Sequence, residues 1–395
     1  MPRNRGRSIV ALLVWTLCFA GLPRSADAIQ HLVRAGDDWE QFASRANPGD
    51  EIILMPGTHR AGTLKGLQGE PGRPIVIRSL QPEKPSVIEG EGYGIRLLDP
   101  RHVTVRDLVI RSARVHAVEI NGGAAAEDVA GVLLERIRIE HPVEAGERHA
   151  VVLRHIDGVS ISQCTIEGWS GSAIEIIGAR EVTVETSRFR GRESGGELSG
   201  VRIRGSSEDV HVTGSRFERC GDQAVSIGGS SAIEDVRSVP TTDTESTPLY
   251  EASRIEVSDC VMVDGRSAVA FINCTDAVVR NCAVHRPRRV VLSVRREQVD
   301  PRFGDATGCQ FEQNLIRWEP GDITSLGHGG GDVSLEGLTL GENLWWTADW
   351  ETAAESLGPF PGTVAFPQIT DVDPAIDDYL RPQAKLALSF GPEIE

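Results

Sequence analysis

Ala117-Val118-Glu119-Ile120, Ala150-Val151-Val152-Leu153, Ala173-Ile174-Glu175-Ile176, Gly200-Val201-Arg202-Ile203, Ala224-Val225-Ser226-Ile227 and Ala268-Val269-Ala270-Phe271 are copies of one pattern: a small residue, an apolar residue, any residue, an apolar residue. Their starts lie 33, 23, 27, 24 and 44 residues apart. An alternating pattern interleaves with them at Val103-Thr104-Val105, Val159-Ser160-Ile161, Val182-Thr183-Val184, Val210-His211-Val212 and Ile255-Glu256-Val257. Short β-branched strands that return every few tens of residues predict a solenoid, because one repeat cannot bury its apolar face alone and must stack on its neighbours. Such a stack exposes a long ridged side, and function is expected there.

Around the repeats the chain divides into an N-terminal leader, a cap, the stack and a tail. Arg3, Arg5 and Arg7 precede an apolar run from Ile9 to Leu22, and Ala26-Asp27-Ala28 follows. This is the pattern of a secretory signal, residues 1–28, cleaved after Ala28, and it implies a secreted or periplasmic protein. No later segment reaches the roughly 20 apolar residues of a membrane span. Residues 29–50 read as a cap: Asp37-Asp38 starts a helix whose apolar face holds Trp39 and Phe42, and Pro48-Gly49-Asp50 turns into a strand from Glu51 to Met55. The solenoid is expected over 51–318, with a loop insertion at 233–253 that accounts for the long 44-residue spacing. The tail, 319–395, carries Trp345, Trp346 and Trp350, which suit aromatic closure of the open end.

The net charge is −16, and it is more negative without residues 1–28, which carry four Arg and one Asp. So acidic a chain has no general electrostatic footprint for nucleic acid, and an acidic polysaccharide needs a local arginine cluster to receive it. Six cysteines follow the leader. Cys164, Cys260 and Cys282 share one repeat position with Ser187 and Ser215, which predicts an internal column of small side chains holding free thiols. The alternative is a Cys260–Cys282 disulfide between adjacent coils.

Pro48-Gly49-Asp50-Glu51-Ile52-Ile53-Leu54-Met55-Pro56-Gly57-Thr58-His59 resembles the opening strand of the pectate-lyase-like right-handed parallel β-helix proteins. Gly72-Arg73-Pro74-Ile75-Val76-Ile77-Arg78 is similar to the segment that follows in chondroitinase-B-like and alginate-lyase-like members. Asp373-Pro374 and Tyr379-Leu380-Arg381-Pro382 resemble their closing strands. The resemblance implies an all-β fold, a single-stranded right-handed parallel β-helix with an N-terminal helical cap. It also implies an exported protein acting on polysaccharide, of the lyase type if it is an enzyme, with glycoside hydrolase or epimerase as lesser options. A non-catalytic glycan-binding or surface protein is the alternative, since this fold hosts many activities. The family's lysine base does not carry over: the only lysines are Lys65, Lys84 and Lys385, none of them in the regular stack. Of the polygalacturonase motifs, only Gly327-His328-Gly329 has a counterpart, outside the expected repeats.

Aligning the six copies gathers sequence-distant residues on one outward strip: Glu119, Arg148, His149, Glu175, Arg202, Asp222, Gln223 and Arg266. Cleaving a uronic-acid polymer by β-elimination needs a cation facing the carboxylate, a base for the α-proton and an acid for the leaving oxygen. Arg148, Arg202 or Arg266 fits the first role and His149 the second, because imidazole titrates near neutral pH. Glu119, Glu175 and Asp222 are oxygen ligands of the kind calcium takes, although no cofactor is required. Glu175 with Asp222 could instead serve as the acid and base of glycoside hydrolysis. Arg286, Arg288 and Arg289, with Glu119 and Gln223, are the expected substrate-binding groups. His116 reads as a turn residue. The expected partner is a polysaccharide, and a monomer is expected.

Overall fold

The computed structural model describes residues 28–111, 114–123, 130–140, 149–192, 199–237, 248–329, 333, 337–349, 368–369 and 392. The leader to residue 27, Arg148, most of the 240–248 segment, Trp350 and the closing motifs at 373–382 lie outside them.

Three parallel sheets wind around one apolar interior. Among the described residues, sheet A has 12 strands, from Gln30–Val33 to Leu338–Leu340, and sheet B has 12, from Thr58–Arg60 to Gln368–Ile369. Sheet C has 10, from Gly62–Lys65 to Ser325–Gly329. The alternating repeats supply sheet A, and the small-apolar-x-apolar repeats supply sheet C. Each coil passes through A, B and C in turn and pairs in register with the coils on either side. Thus Val118, Val151, Ile174, Val201, Val225 and Val269 stack as one inward column, each at most 1% exposed.

The bend from sheet A into sheet B has one recurring cause. Arg136, Gln163, Thr186, Asp259, Asn281 and Gln313 all adopt φ between 48° and 55°, a left-handed residue that redirects the chain. The next residue points inward, and this builds the expected column: the Ser187 Oγ accepts from Cys164 N at 3.1 Å and the Ser215 Oγ from Ser187 N at 3.1 Å. The column continues past the cysteines into Asn314 and Asn343, whose amides link successive coils at 3.0 Å. All six cysteines among the described residues are buried thiols. The Cys260–Cys282 disulfide is therefore not formed. Burial pushes the Cys164 thiol up to about 12.

The cap differs from its expectation in one respect. Asp38 does N-cap the helix Trp39–Ala43, and Trp39 is fully buried with its indole N–H donated to the Arg60 carbonyl at 2.8 Å. A strand, Gln30–Val33, precedes that helix and pairs with Glu51–Leu54, so sheet A begins inside the cap. At the other end the register continues past 318. Gly327-His328-Gly329 belongs to the last strand of sheet C, and Trp318 packs edge-on to Trp345 with ring centroids 6.3 Å apart.

Candidate functional site on the outer face of sheet C

The outward residues of sheet C form three parallel columns, because side chains alternate along a strand. The middle column runs Arg96, Glu119, Val152, Glu175, Arg202, Ser226, Ala270 and Ser293. Three residues earlier on each coil, just before the small residue of the repeat, lie Tyr93, His116, His149, Ser172, Ser199, Gln223 and Ser267. Two residues later lie Asn121, Arg154, Ile177 and Arg204.

The described start of the 233–253 insertion, to Arg237, forms a wall along the third column. From Ser231 it turns through a single 3-10 turn, Ile233–Asp235, and runs back over the coils that precede it. Asp235 binds the guanidinium of Arg154 and, at 3.5 Å, that of Arg204. Arg237 grips Asp157 through Nη2 at 2.9 Å. Gly205, with φ of 72°, admits this strap: a Cβ there would sit 2.7 Å from the Asp235 carbonyl. Fully buried Glu251 closes the base, accepting from Gly205 N, Ser231 N and Oγ, and Gln298 Nε2.

Glu175 is fully enclosed beneath this wall. It accepts from Arg204 Nε at 2.5 Å and from Ser172 Oγ at 2.8 Å. Burial acts to raise its carboxyl, and the positive groups around it outweigh burial: His149 when protonated, Arg202 and Arg204. A carboxylate sealed in this way anchors its neighbours and does not touch a ligand. Arg202, one rung on, leans toward Glu297 at 3.7 Å.

The two histidines of the first column adopt opposite tautomers. His116 Nδ1 lies 3.2 Å from the His149 carbonyl, which can only accept, so Nδ1 carries the proton and Nε2 the lone pair. His149 Nδ1 accepts from the Ser172 backbone N–H at 2.9 Å, so its proton sits on Nε2. The 3.5 Å approach of that Nδ1 to Glu175 is thus no hydrogen bond of the neutral ring. Burial, reinforced by His149 and Arg154, lowers His116 to about 4 and keeps it neutral at physiological pH. Tyr93 stands edge-on to His116 at 5.9 Å and carries Arg96 over its ring at 4.7 Å. Burial, with nearby Glu119, raises the Tyr93 phenol, so it stays protonated.

Three rungs along the same face from Glu175 lies a cleft of about 210 Å³. It is lined by Gln223, Arg266, Arg289 and Arg295, with Asp222, Ser267, Ser293 and Ser325. Asp222 pairs with Arg266 at 2.8 Å, and Arg295 leans on Glu297 at 3.3 Å. Arg289 is exposed and makes no ion pair among the described residues.

The expected strip is therefore divided. His149 and Glu175 meet at one end, and Asp222, Gln223 and Arg266 at the other. Arg286 and Arg288 do not join the cleft: both turn to Asp264, at 2.8 and 3.8 Å. Glu119 lies against Arg96 at 3.1 Å, Glu175 against Arg204 and Asp222 against Arg266, so each carboxylate assigned to calcium already has a cation. Among the described residues no three His, Cys, Asp or Glu side chains converge as a metal site. Tyr93, Arg96, Arg154 and Arg204 are additions. Gly94-Ile95-Arg96-Leu97 is a seventh copy of the repeat, and Arg154 and Arg204 stand two residues past the middle column.

Residues 129–317 match the family model described as the right-handed β-helix region. The chain is a right-handed parallel β-helix. Among solved structures it is similar to a PL6 family alginate lyase, AlyGC, at 13% identity and a TM-score of 0.48, covering 92% of this chain and 56% of that one. It is also similar to a mannuronic acid specific polysaccharide family 6 lyase from human gut microbiota, at 14% identity and 0.48, covering 83% and 89%. A third is the tailspike of the Acinetobacter baumannii bacteriophage Fri1, a capsular polysaccharide depolymerase, at 10% identity and 0.47, covering 81% and 61%. The β-helix thus spans little more than half the length of the first, and at these identities the likeness is one of fold. A comparison with curated proteins found no match. No described helix is long and apolar enough to cross a membrane.

Proposed function

We propose that this protein is exported and acts on an acidic polysaccharide laid along the outer face of sheet C, cleaving a uronic-acid-containing chain by β-elimination. The observation that carries this reading is the cleft of Arg266, Arg289 and Arg295. In a chain of net charge −16, three guanidinium groups in one cavity are a local exception, and a carboxylate-bearing sugar is the ligand that such forks pair with. The same face holds Tyr93, His116 and His149, an imidazole lone pair beside a phenol and an imidazole N–H, which is the equipment for moving a proton. A solenoid side suits a linear polymer, since successive rungs repeat the same surface. The pairing of each carboxylate with an arginine favours elimination over hydrolysis, which needs one carboxyl group kept protonated. That pairing also supports a second reading, a glycan-binding protein without catalysis.

Incubation of the mature protein with a panel of polyuronates and neutral glycans tests the proposal. Ultraviolet absorbance of an unsaturated uronyl end, rising together with reducing ends on an acidic polymer alone, is the expected result. Reducing ends without absorbance would replace elimination with hydrolysis. Binding without either product would leave the non-catalytic reading.

A further inference from the structure

The face of sheet C holds two histidines, and their hydrogen bonds give them different chemistry. Resting on the lyase reading above, we propose that His116, through Nε2, is the group that removes the α-proton, and that the Tyr93 hydroxyl protonates the leaving oxygen.

Geometry carries this assignment. The His149 carbonyl fixes the His116 proton on Nδ1, so the lone pair on Nε2 is the one a substrate proton can meet. His149 is held in the reverse state by Ser172 N–H and offers only an N–H from its second nitrogen. It therefore suits a donor's role, and the base falls one rung earlier than spacing alone suggests. His116 and Tyr93 occupy the same column on adjacent, in-register coils, with ring centroids 5.9 Å apart, and both are half-buried. The charged and titratable groups facing His116 are Tyr93 and Arg96 from the preceding coil, Glu119 on its own strand, and His149 and Arg154 from the next. Arg96, stacked over Tyr93 and paired with Glu119 at 3.1 Å, and Arg154 on the next coil are the cations beside this pair that can answer a substrate carboxylate.

The step balances without a further reactant. The C–H bond α to the carboxylate breaks and its proton passes to His116 Nε2. The electron pair forms the carbon–carbon double bond, the C–O bond at the β carbon breaks, and the departing oxygen takes the Tyr93 proton. Imidazolium and phenolate then exchange protons with water. His116 stands at about 4, so it is ready as a base throughout the neutral range.

The experiment combines kinetics with a readout independent of activity. On the polyuronate that the wild type cleaves, His116→Ala is expected to lower kcat by roughly 10²–10⁴-fold, the usual worth of a general base, with KM within a few-fold. Tyr93→Phe, which keeps the ring, should lower kcat with a similar sparing of KM. The wild-type acid limb of kcat/KM should lie near pH 4, below the ordinary imidazole value of about 6.5, and vanish in His116→Ala. Imidazole nitrogen NMR should show His116 protonated on Nδ1 alone at neutral pH. A wild type that makes no unsaturated product overturns the lyase reading and this proposal with it. A wild type that cleaves, with His116→Ala losing less than tenfold or with the His116 proton found on Nε2, overturns this proposal alone.

Discussion

Replacing Arg204 by Met should reveal how the wall of the groove is held. Arg204 is the only cation hydrogen-bonded to Glu175 among the described residues, at 2.5 Å, and it also reaches Ser231 Oγ at 3.2 Å and Asp235 at 3.5 Å. The arginine side chain is 14% exposed and Glu175 0%, so solvent screens the pair little. Met fills most of the volume and leaves Glu175 with the Ser172 hydroxyl as its remaining donor. Breaking a buried pair in this way costs about 3–5 kcal/mol, because a charge is left without its partner. Adding Glu175→Gln should recover much of that loss, since a buried amide needs no counter-ion. The pH dependence has a defined sign. In the wild type the depressed Glu175 carboxyl contributes stability above the unfolded carboxylate range, and that contribution is lost as pH falls through the folded value. In Arg204→Met burial dominates and raises the carboxyl, so the variant's deficit should shrink as the solution is acidified. Urea unfolding followed by circular dichroism at neutral and mildly acidic pH measures both. A deficit below about 1 kcal/mol, the worth of an exposed pair, or one equal at the two pH values, would refute the reasoning that this pair is buried and unscreened.

Other consequences are open to simpler checks. His116 and His285 both stand at about 4, so the folded protein resists protonating them; stability should be full above about pH 6.5 and fall toward pH 4, by about 3 kcal/mol for His116 and by less for His285, which solvent screens more, and denaturation of His285→Phe should show a flatter acid slope. Asn314→Ala should cost about 2–3 kcal/mol, because it removes the acceptor of Cys282 N and the side-chain donor to the Val279 carbonyl, while Asn343 Oδ1 keeps the Asn314 backbone N–H; thermal unfolding measures the loss, and a change below about 1 kcal/mol would contradict this account. The buried thiols should resist alkylation in the native protein and react fully in denaturant, and mass spectrometry showing a cysteine pair two protons lighter would contradict the free-thiol column.

The stack was legible because its signal is covalent in spacing: the Val118-to-Val269 column needs only a recurring pattern and a preference for parallel register. The same repeat logic found the small-residue column, but it stopped at cysteine and serine and missed Asn314 and Asn343, whose amides bond each other and the backbone of the coils around them. At the site, the middle column and the one before it are legible in the repeat, and the column two residues later is not. That is why Arg202 was named and Arg204, two residues on, was not, although the latter holds Glu175. Which arginine meets which carboxylate depends on rotamers and on the strap from Ser231 to Arg237, neither of which periodicity records. Arg286 and Arg288 looked like partners of Arg289 in sequence, yet the left-handed turn at Arg286, with φ of 50°, sends them toward Asp264. The tautomers of His116 and His149 were the least accessible of all, since each is set by one backbone group of a neighbouring coil.

The central claim is that the outer face of sheet C receives an anionic glycan at the arginine cleft. Calorimetric titration of a polyuronate oligosaccharide into the wild type, Arg289→Ala and Arg254→Ala tests it most directly, because Arg254 is an arginine of sheet A, paired with Asp209 and Glu208 away from the cleft. The account predicts that Arg289→Ala weakens binding at least tenfold, that Arg254→Ala leaves it unchanged, and that rising salt erodes the difference. Equal affinities for the wild type and Arg289→Ala would contradict it.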